Sequence, residues 1–336
     1  MIAVPTPLGA ENSPDISYVE AATRAIAPRI MHGACVIVES TSPVGTTERV
    51  AEIIAEMRPD LAVPRHGGSE DYDIALAYCP ERVLPGKIVQ ELVQNDRVIG
   101  GITPACATRA AVLYSSFVKG DCLITSARVA ETVKLVENSF RDVNIAFANE
   151  LSMIADQIGV DVWDVIRLAN RHPRVNILQP GPGVGGHCIA VDPWFLVAAA
   201  PEAARLIRTA RQVNDRKAHH TEHRIRALMA AAPDAKVALL GLAFKPDIDD
   251  FRESPALEIA ENLAKSDGER LLVVEPFTDA LPAGLADTGA ALAPLDEALE
   301  AAEIVVVLVD HTAFRHLGPA TLAGKITFDT RGMLKR

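Results

Sequence analysis

The chain has 336 residues, 49% hydrophobic and 23% charged, which is long enough for two or three folded domains and excludes a disordered polypeptide. Its formal net charge of −11 argues against a general nucleic-acid or anionic-membrane partner, because phosphates favour a basic surface. The longest apolar runs are of strand length, too short for a membrane span. Five widely spaced cysteines without a C-x-x-C pair predict reduced, cytoplasmic thiols rather than disulfides or a metal site.

The first region, residues 1–124, alternates strand and helix patterns, which predicts a parallel sheet with helices on both faces. Ser17 and Glu20 form a capping-box pattern that predicts the start of a helix reaching about Ile30. Thr6, Thr41 and Glu81 follow predicted strands, so they are expected at the carboxyl edge of the sheet, where ligands bind in such folds. Strands are predicted at residues 1–4, 35–39, 73–78 and 97–99, and further helices at 48–57 and after Thr103.

The middle region, residues 125–231, is predicted to be helical. Apolar residues recur at alternating spacings of four and three from Val129 to Ile158, which predicts one long amphipathic helix ending at Gly159. Three polar residues share a different face of this helix, which is either a solvated surface or part of a site: Lys134, Asn138 and Arg141. Further helices are predicted from Asp161 to about His172 and over 203–231, and the apolar stripes suggest a dimer interface.

The last region, residues 232–336, returns to alternating strands and helices. Strands are predicted at 236–241, 270–275, 304–309 and 325–329, and Ser254 with Pro255 predicts a helix start. Lys245 lies in the loop after the first of these strands, where a phosphate would be held. The predicted fold class is therefore α/β, with two doubly wound, Rossmann-like parallel-sheet domains joined by a central helical domain.

A glycine-rich loop between Pro180 and Pro193 carries Cys188. Glycine allows a ligand to approach the backbone closely, so a thiol here is accessible to a substrate carbon. The alternative interpretation is that this stretch forms a tight surface turn and that Cys188 is a small, buried apolar residue after it. Three of the glycines match G-x-G-x-x-G, but the flanking prolines interrupt the preceding strand and cut off a following helix, so the dinucleotide-loop interpretation is rejected.

Five segments resemble motifs of the nucleotide-sugar 6-dehydrogenases, the UDP-glucose/GDP-mannose dehydrogenase family: residues 37–45, 79–86, 135–150, 168–193 and 241–246. The resemblance extends over essentially the whole chain. It implies two successive hydride transfers to NAD, which convert the C6 alcohol of a UDP-sugar to a carboxylate. UDP-N-acetyl-D-mannosamine is the expected substrate, and UDP-N-acetylglucosamine is the alternative.

The resemblance also implies roles for individual residues. Cys188 would add to the C6 aldehyde as a thiohemiacetal, which is oxidised to a thioester and then hydrolysed. Lys134 would supply a positive charge and proton transfer, and Asn138 would hold the water or the oxyanion. Asp192 and Glu81 would assist hydrolysis. The implied NAD contacts are Thr6, Thr41, Thr47 and Arg252. The implied substrate contacts are Arg82, Val83, Lys134, Asn138, Arg141, His172, Arg174, Gly185, Phe244, Lys245 and Arg331.

The resemblance implies a homodimer in which His172 or Arg174 is supplied across the interface. The front of the chain departs from the family pattern, because no strand, G-x-G-x-x-G and helix precede Pro5. The first sheet is therefore expected to lack its first strands. Two alternatives follow: an incomplete form of a working enzyme, or a chain that binds sugar nucleotide and turns over poorly. A cysteine hydrolase is a third alternative, although His187 is too close in sequence to Cys188 to be oriented on the thiol.

Overall fold

A computed structural model describes residues 1–68, 71–83, 88–318 and 320–335. The chain divides into two compact units, the first comprising residues 1–139 and 191–207 and the second residues 140–190 and 208–336. The helices are α1 (Ser17–Ile26), α2 (Thr46–Met57), α3 (Ile88–Gln94), α4 (Pro104–Tyr114), α5 (Ala127–Ile158), α6 (Val162–Ala169), α7 (Asp192–Ala199), α8 (Arg205–Ala231), α9 (Pro255–Asp267), α10 (Ala283–Ala286) and α11 (Leu295–Ala301). The strands are β1 (Cys35–Val38), β2 (Ala75–Tyr78), β3 (Arg97–Gly101), β4 (Cys122–Ser126), β5 (Val237–Leu240), β6 (Leu271–Val274), β7 (Ala291–Leu292), β8 (Ile304–Val307) and β9 (Ile326–Asp329).

The first unit contains a four-stranded sheet in the order β1-β2-β3-β4, and a single parallel bridge joins Ile2 to Val38. The expected α/β class is confirmed, but β2 and β3 run antiparallel. Helix α3 ends just before β3, and the buried Arg97 at the start of β3 donates to the carbonyl of Leu92 in α3. The last residues of β3, Gly100 and Gly101, pair with Tyr78 and Ala77 at the end of β2, so β3 begins beyond the end of β2 and runs back along it.

The second unit contains a five-stranded sheet in the order β7-β6-β5-β8-β9, in which every pair is parallel. Its central strands are buried throughout, as expected for a parallel sheet covered on both faces. Separate apolar clusters fill the two faces, one around Leu239 and Ile259 and the other around Leu240 and Phe314.

Several local predictions are confirmed and two are wrong. Thr103, Asp161 and Ser254 each accept a backbone N–H as helix caps, as their sequence patterns indicate. The capping box at Ser17 is wrong, because Ser17 is the first residue of α1 and the carboxylate of Asp15 accepts its N–H instead. Pro193 does not exclude a helix either, because it lies in the first turn of α7, where a missing N–H costs nothing.

The long predicted helix is confirmed as α5, which spans 32 residues and is followed by Gly159 with a φ of +71°. Within the described ranges, no helix combines the length and apolar character that crossing a bilayer requires.

Candidate functional site

Four predicted catalytic residues lie in the first unit: Glu81 follows β2, Asp192 opens α7, and Lys134 and Asn138 lie one turn apart on α5. The Asn138 amide donates to the Asp192 carboxylate, and both side chains are buried. Burial raises the pKa of Asp192 to about 6, and the Asn138 hydrogen bond and the Lys134 charge act in the opposite direction. A carboxyl group with this pKa can exchange a proton with a ligand near neutral pH.

The loop after β2 brings Glu81 and Arg82 next to other charged groups of the first unit. The Arg82 guanidinium pairs with Glu137 on α5 at 2.7 Å, and the buried Arg97 guanidinium lies 3.6 Å from the Glu81 carboxylate. Arg82 also donates its backbone N–H to Glu81, and Val83 is half-buried. Residues 84–86, the end of this motif, lie outside the described residues.

The predicted NAD contacts Thr6 and Thr41 lie together, because the Thr6 hydroxyl donates to the Thr41 carbonyl at 2.5 Å. Thr47 is engaged differently: its N–H and hydroxyl both donate to the buried carboxylate of Glu131 on α5. Glu131 also accepts the Gly45 N–H at 2.6 Å, so it caps α2 from a distant part of the chain. Sequence reasoning missed Glu131, because its partners lie more than 80 residues away and leave no local pattern.

In the second unit, the glycines before Cys188 pass close to other chain segments. A side chain at Gly185 would meet the carbonyl of Glu253 at 2.1 Å, and one at Gly186 would meet the Phe244 ring at 2.9 Å. Gly186 also has a φ of +82°, which L side chains rarely adopt. Glycine is therefore required at both positions, because neighbouring segments lie too close to the backbone to leave room for a side chain. Cys188 itself is exposed and is not part of a disulfide.

The loop after β5 carries Phe244 and Lys245, both half-buried, with the Lys245 ammonium 5.8 Å from the centre of the Phe244 ring. The carboxylate of Glu275 accepts the Leu242 and Ala243 N–H groups and so shapes this loop. Glu275 was missed, although its place at the end of the strand predicted at 270–275 was a usable signal.

The remaining predicted residues of the second unit differ in their surroundings. Arg331 donates to Asp310 and to the Pro180 carbonyl, which begins the glycine loop. Arg252 is exposed and pairs with Asp250, which lowers the pKa of Asp250 to about 2. Arg141, His172 and Arg174 are exposed, and the His172 ring accepts the Arg174 N–H at 3.3 Å. No cluster of three or more metal-ligating side chains occurs among the described residues.

Three sequence profiles of one family cover most of the chain. The NAD binding domain of the UDP-glucose/GDP-mannose dehydrogenase family matches residues 1–118, the central domain matches 128–216 and the UDP binding domain matches 238–336. The chain belongs to the UDP-glucose/GDP-mannose dehydrogenase family, a family of NAD-dependent nucleotide-sugar dehydrogenases. The predicted family, enzyme class and cofactor are thereby confirmed.

Within this family, the chain is most usefully compared with individual relatives whose names specify a substrate. The chain is 56% identical over 99% of its length to UDP-N-acetyl-D-mannosamine dehydrogenase of Escherichia coli K12, and the match covers 81% of that protein. It is equally similar, at 56% over 99%, to NDP-N-acetyl-D-galactosaminuronic acid dehydrogenase of Ralstonia nicotianae, of which 78% is covered. The UDP-D-ManNAc dehydrogenase structure from Pyrococcus horikoshii superposes with a TM-score of 0.85 at 38% identity, covering 100% of this chain and 77% of that one.

Proposed function

We propose that this chain oxidises UDP-N-acetyl-D-mannosamine at C6 to UDP-N-acetyl-D-mannosaminuronate, using NAD in a four-electron reaction. The observation that carries the proposal is the 56% identity, spread over 99% of the chain, with the Escherichia coli dehydrogenase of that name. The buried Asp192 carboxyl and the exposed Cys188 thiol supply the two kinds of group that the chemistry requires.

The proposed nucleophile is Cys188, whose sulfur adds to C6 of the aldehyde and forms a thiohemiacetal. Oxidation of this adduct leaves a thioester. The thioester remains covalently attached to the chain, whereas a free hydrated aldehyde could leave the site. Water then attacks the thioester carbon, and the thiolate leaves. The ammonium group of Lys134 favours the thiolate and the developing oxyanion, because both are negative.

The second proposed role is that of a base for hydrolysis. Asp192, with a pKa of about 6, takes the proton of the attacking water above that pH. The Asn138 amide, bonded to the same carboxylate, orients it and can donate to the oxyanion or the water. Glu81 is the second candidate for this role, and its carboxylate lies 3.6 Å from the Arg97 guanidinium.

Two threonines of the first unit are proposed to contact the uncharged groups of NAD. Thr6 and Thr41 lie together in the first unit, and hydroxyl and carbonyl groups of this kind suit a ribose diol or a carboxamide rather than a pyrophosphate. NAD, when bound, accepts the hydride lost from C6 at each oxidation. Thr47 and Arg252 are further proposed contacts, although Thr47 donates to Glu131 and Arg252 pairs with Asp250.

Sugar binding is proposed for cations and glycines on both units. Lys245, Arg331 and Arg82 suit the negative charges of the UDP pyrophosphate. Phe244 offers a half-buried ring, and Gly185 offers backbone without a side chain. The remaining proposed contacts are Val83, Lys134, Asn138, Arg141, His172 and Arg174.

We further propose a cytoplasmic homodimer, with the three-part division 1–124, 125–231 and 232–336. Large apolar side chains on α5 support the dimer, because Phe140, Phe147 and Ile158 are each more than half exposed. His172 or Arg174 would then reach the site of the other protomer. The reduced cysteines support the cytoplasm, since none of the five is in a disulfide.

A second substrate is favoured by the Ralstonia relative, whose name specifies N-acetyl-D-galactosaminuronic acid and whose identity is the same 56%.

The test is to supply the purified chain with NAD and, separately, UDP-N-acetylmannosamine, UDP-N-acetylgalactosamine and UDP-N-acetylglucosamine. We expect two NADH per sugar and the highest kcat/KM with the mannosamine compound. A higher kcat/KM with another sugar corrects the substrate, and sugar-nucleotide binding without NADH supports a binding protein instead.

A further inference from the structure

One peptide group, between Pro180 and Gly181, is held from both sides at the start of the loop that carries Cys188. Its N–H donates to the side-chain oxygen of Asn149 at 2.9 Å, and its carbonyl accepts from Arg331 at 3.3 Å. Gly181 is buried, and its neighbours Pro180 and Pro182 have no N–H. The Gly181 N–H is therefore the only backbone donor in this tripeptide that can fix the loop.

The orientation of the Asn149 amide is set by a chain of buried polar groups between α5 and α8. The Asn149 nitrogen donates to the Asn214 oxygen at 2.9 Å, and the Asn214 nitrogen donates to the Asp142 carboxylate at 2.7 Å. That carboxylate also accepts from Arg211 at 2.7 Å. Because a carboxylate only accepts, Asn214 must direct its nitrogen towards Asp142, and Asn149 must then direct its oxygen towards Gly181.

The burial of this chain makes its direction energetically costly to reverse. Asn149, Asp142 and Asn214 are at most 1% exposed, and Arg211 is 2% exposed. A flipped amide would leave two oxygens facing each other without water, which costs about 1–3 kcal/mol per unsatisfied group. The loop start is thus held by a hydrogen-bond chain that ends on an ion pair.

We propose that Asn149 is a positioning residue, which fixes the Pro180–Gly181 peptide group and through it the path of the glycine loop to Cys188. The loop leaves little room for adjustment, because Gly185 and Gly186 already lie against Glu253 and Phe244. A shift at its start is therefore passed to the thiol rather than absorbed. This inference rests on the proposed function for its catalytic consequence, but not for the structural one.

The test compares Asn149→Ala with Ser152→Ala. Ser152 is a matched control, because it is a buried polar residue on the same helix whose hydroxyl accepts from Lys217 and donates to the backbone carbonyl of Asn149, not to its side-chain amide. Three quantities are measured: hydrogen exchange at Gly181, the rate of Cys188 alkylation by iodoacetamide, and kcat. Exchange is followed at the Gly181 amide resonance by NMR, because Pro180 and Pro182 carry no amide hydrogen.

In Asn149→Ala we expect Gly181 to exchange at least about tenfold faster, the alkylation rate of Cys188 to change severalfold, and kcat to fall roughly 10- to 100-fold. Ser152→Ala should leave all three within about twofold. Asn214→Leu should shift them in the same direction as Asn149→Ala, but less, because Asn149 then loses only its orienting partner.

Unchanged Gly181 exchange and Cys188 alkylation in Asn149→Ala would overturn the inference while leaving the proposed function intact. Equal losses in Ser152→Ala would overturn it too, since the effect would then be general destabilisation. If Asn149→Ala does not fold, rapid Gly181 exchange in the unaltered chain overturns it, and slow exchange that Asn214→Leu accelerates supports it. A wild-type chain without dehydrogenase activity but with the predicted exchange and alkylation changes would refute the proposed function alone.

Discussion

The two units hold the proposed reactive groups in opposite ways. In the first, Asn138 and Asp192 are buried side chains on helices, and burial adjusts the proton affinity of the carboxyl group. In the second, Cys188 is exposed on a loop, and neighbouring segments constrain the backbone rather than the side chain. The difference matches the proposed roles, because a proton-transfer group needs an adjusted proton affinity, whereas a nucleophile needs an accurate position and an open approach.

The largest expected effect comes from removing the exposed group of the second unit. In Cys188→Ala, the aldehyde cannot form a thioester, so the rate of uronate formation should fall by at least roughly 10³-fold. The measurement is NADH production, together with the number of NADH formed per sugar, which should fall below two. Cys122→Ala alters a half-buried cysteine of the first unit and should retain activity. Equal activity in both variants would exclude the thiol from the reaction.

The first unit can be tested through the pH dependence of its stability. Burial raises the pKa of Asp192 from 3.8 to about 6, so the folded state retains this proton more strongly than the unfolded state does. The stabilisation is complete below about pH 4 and is lost as the pH rises through 6, a decline of about 3 kcal/mol. Urea unfolding from pH 4 to 7 should show this decline relative to Asp192→Asn. Parallel curves for the two proteins would contradict the raised pKa.

A smaller effect should follow from crowding the glycine loop. In Gly185→Ala, the new methyl group would lie 2.1 Å from the Glu253 carbonyl, so the loop must move. We expect kcat/KM to fall roughly tenfold or more, since small displacements of reacting groups are costly. Gly318→Ala introduces the same methyl group with no atom within 4 Å and should have no effect. A fully active Gly185→Ala would show that the loop position is not critical.

The smallest effect concerns the cap supplied by Glu131. Glu131→Gln replaces one of two accepting oxygens by a donor, which would then face either the Gly45 N–H or the Thr47 N–H. The free energy of unfolding should decrease by about 1–3 kcal/mol. Glu150→Gln, an exposed change on the same helix, should alter it by less than about 0.5 kcal/mol. Equal stability of the two variants would rule out a structural role for Glu131.

The sequence alone was sufficient to predict those elements whose patterns lie within a few neighbouring residues. The periodicity of α5 and the caps at Thr103, Asp161 and Ser254 predicted elements that the structure contains. The glycines around Gly185 indicated a loop under close approach, although not which segments approach it.

The remaining features depend on partners that are distant in sequence. Strand β3 runs antiparallel to β2, and alternating strand and helix patterns contain no information about strand direction. The Glu131 cap and the Asn149 contact with Gly181 join residues separated by 32 to 86 positions. A single sequence has no local pattern for such contacts, because they arise only when helices pack.

The measurement that tests the central claim most directly is mass spectrometry of the chain quenched during turnover. Asp192→Asn should slow thioester hydrolysis, so this variant is mixed with NAD and UDP-N-acetylmannosamine, quenched in acid and digested. We predict a UDP-N-acetylmannosaminuronyl adduct on the peptide that contains Cys188, removable by hydroxylamine. Turnover without any adduct on Cys188, or with the adduct on another residue, would contradict the account.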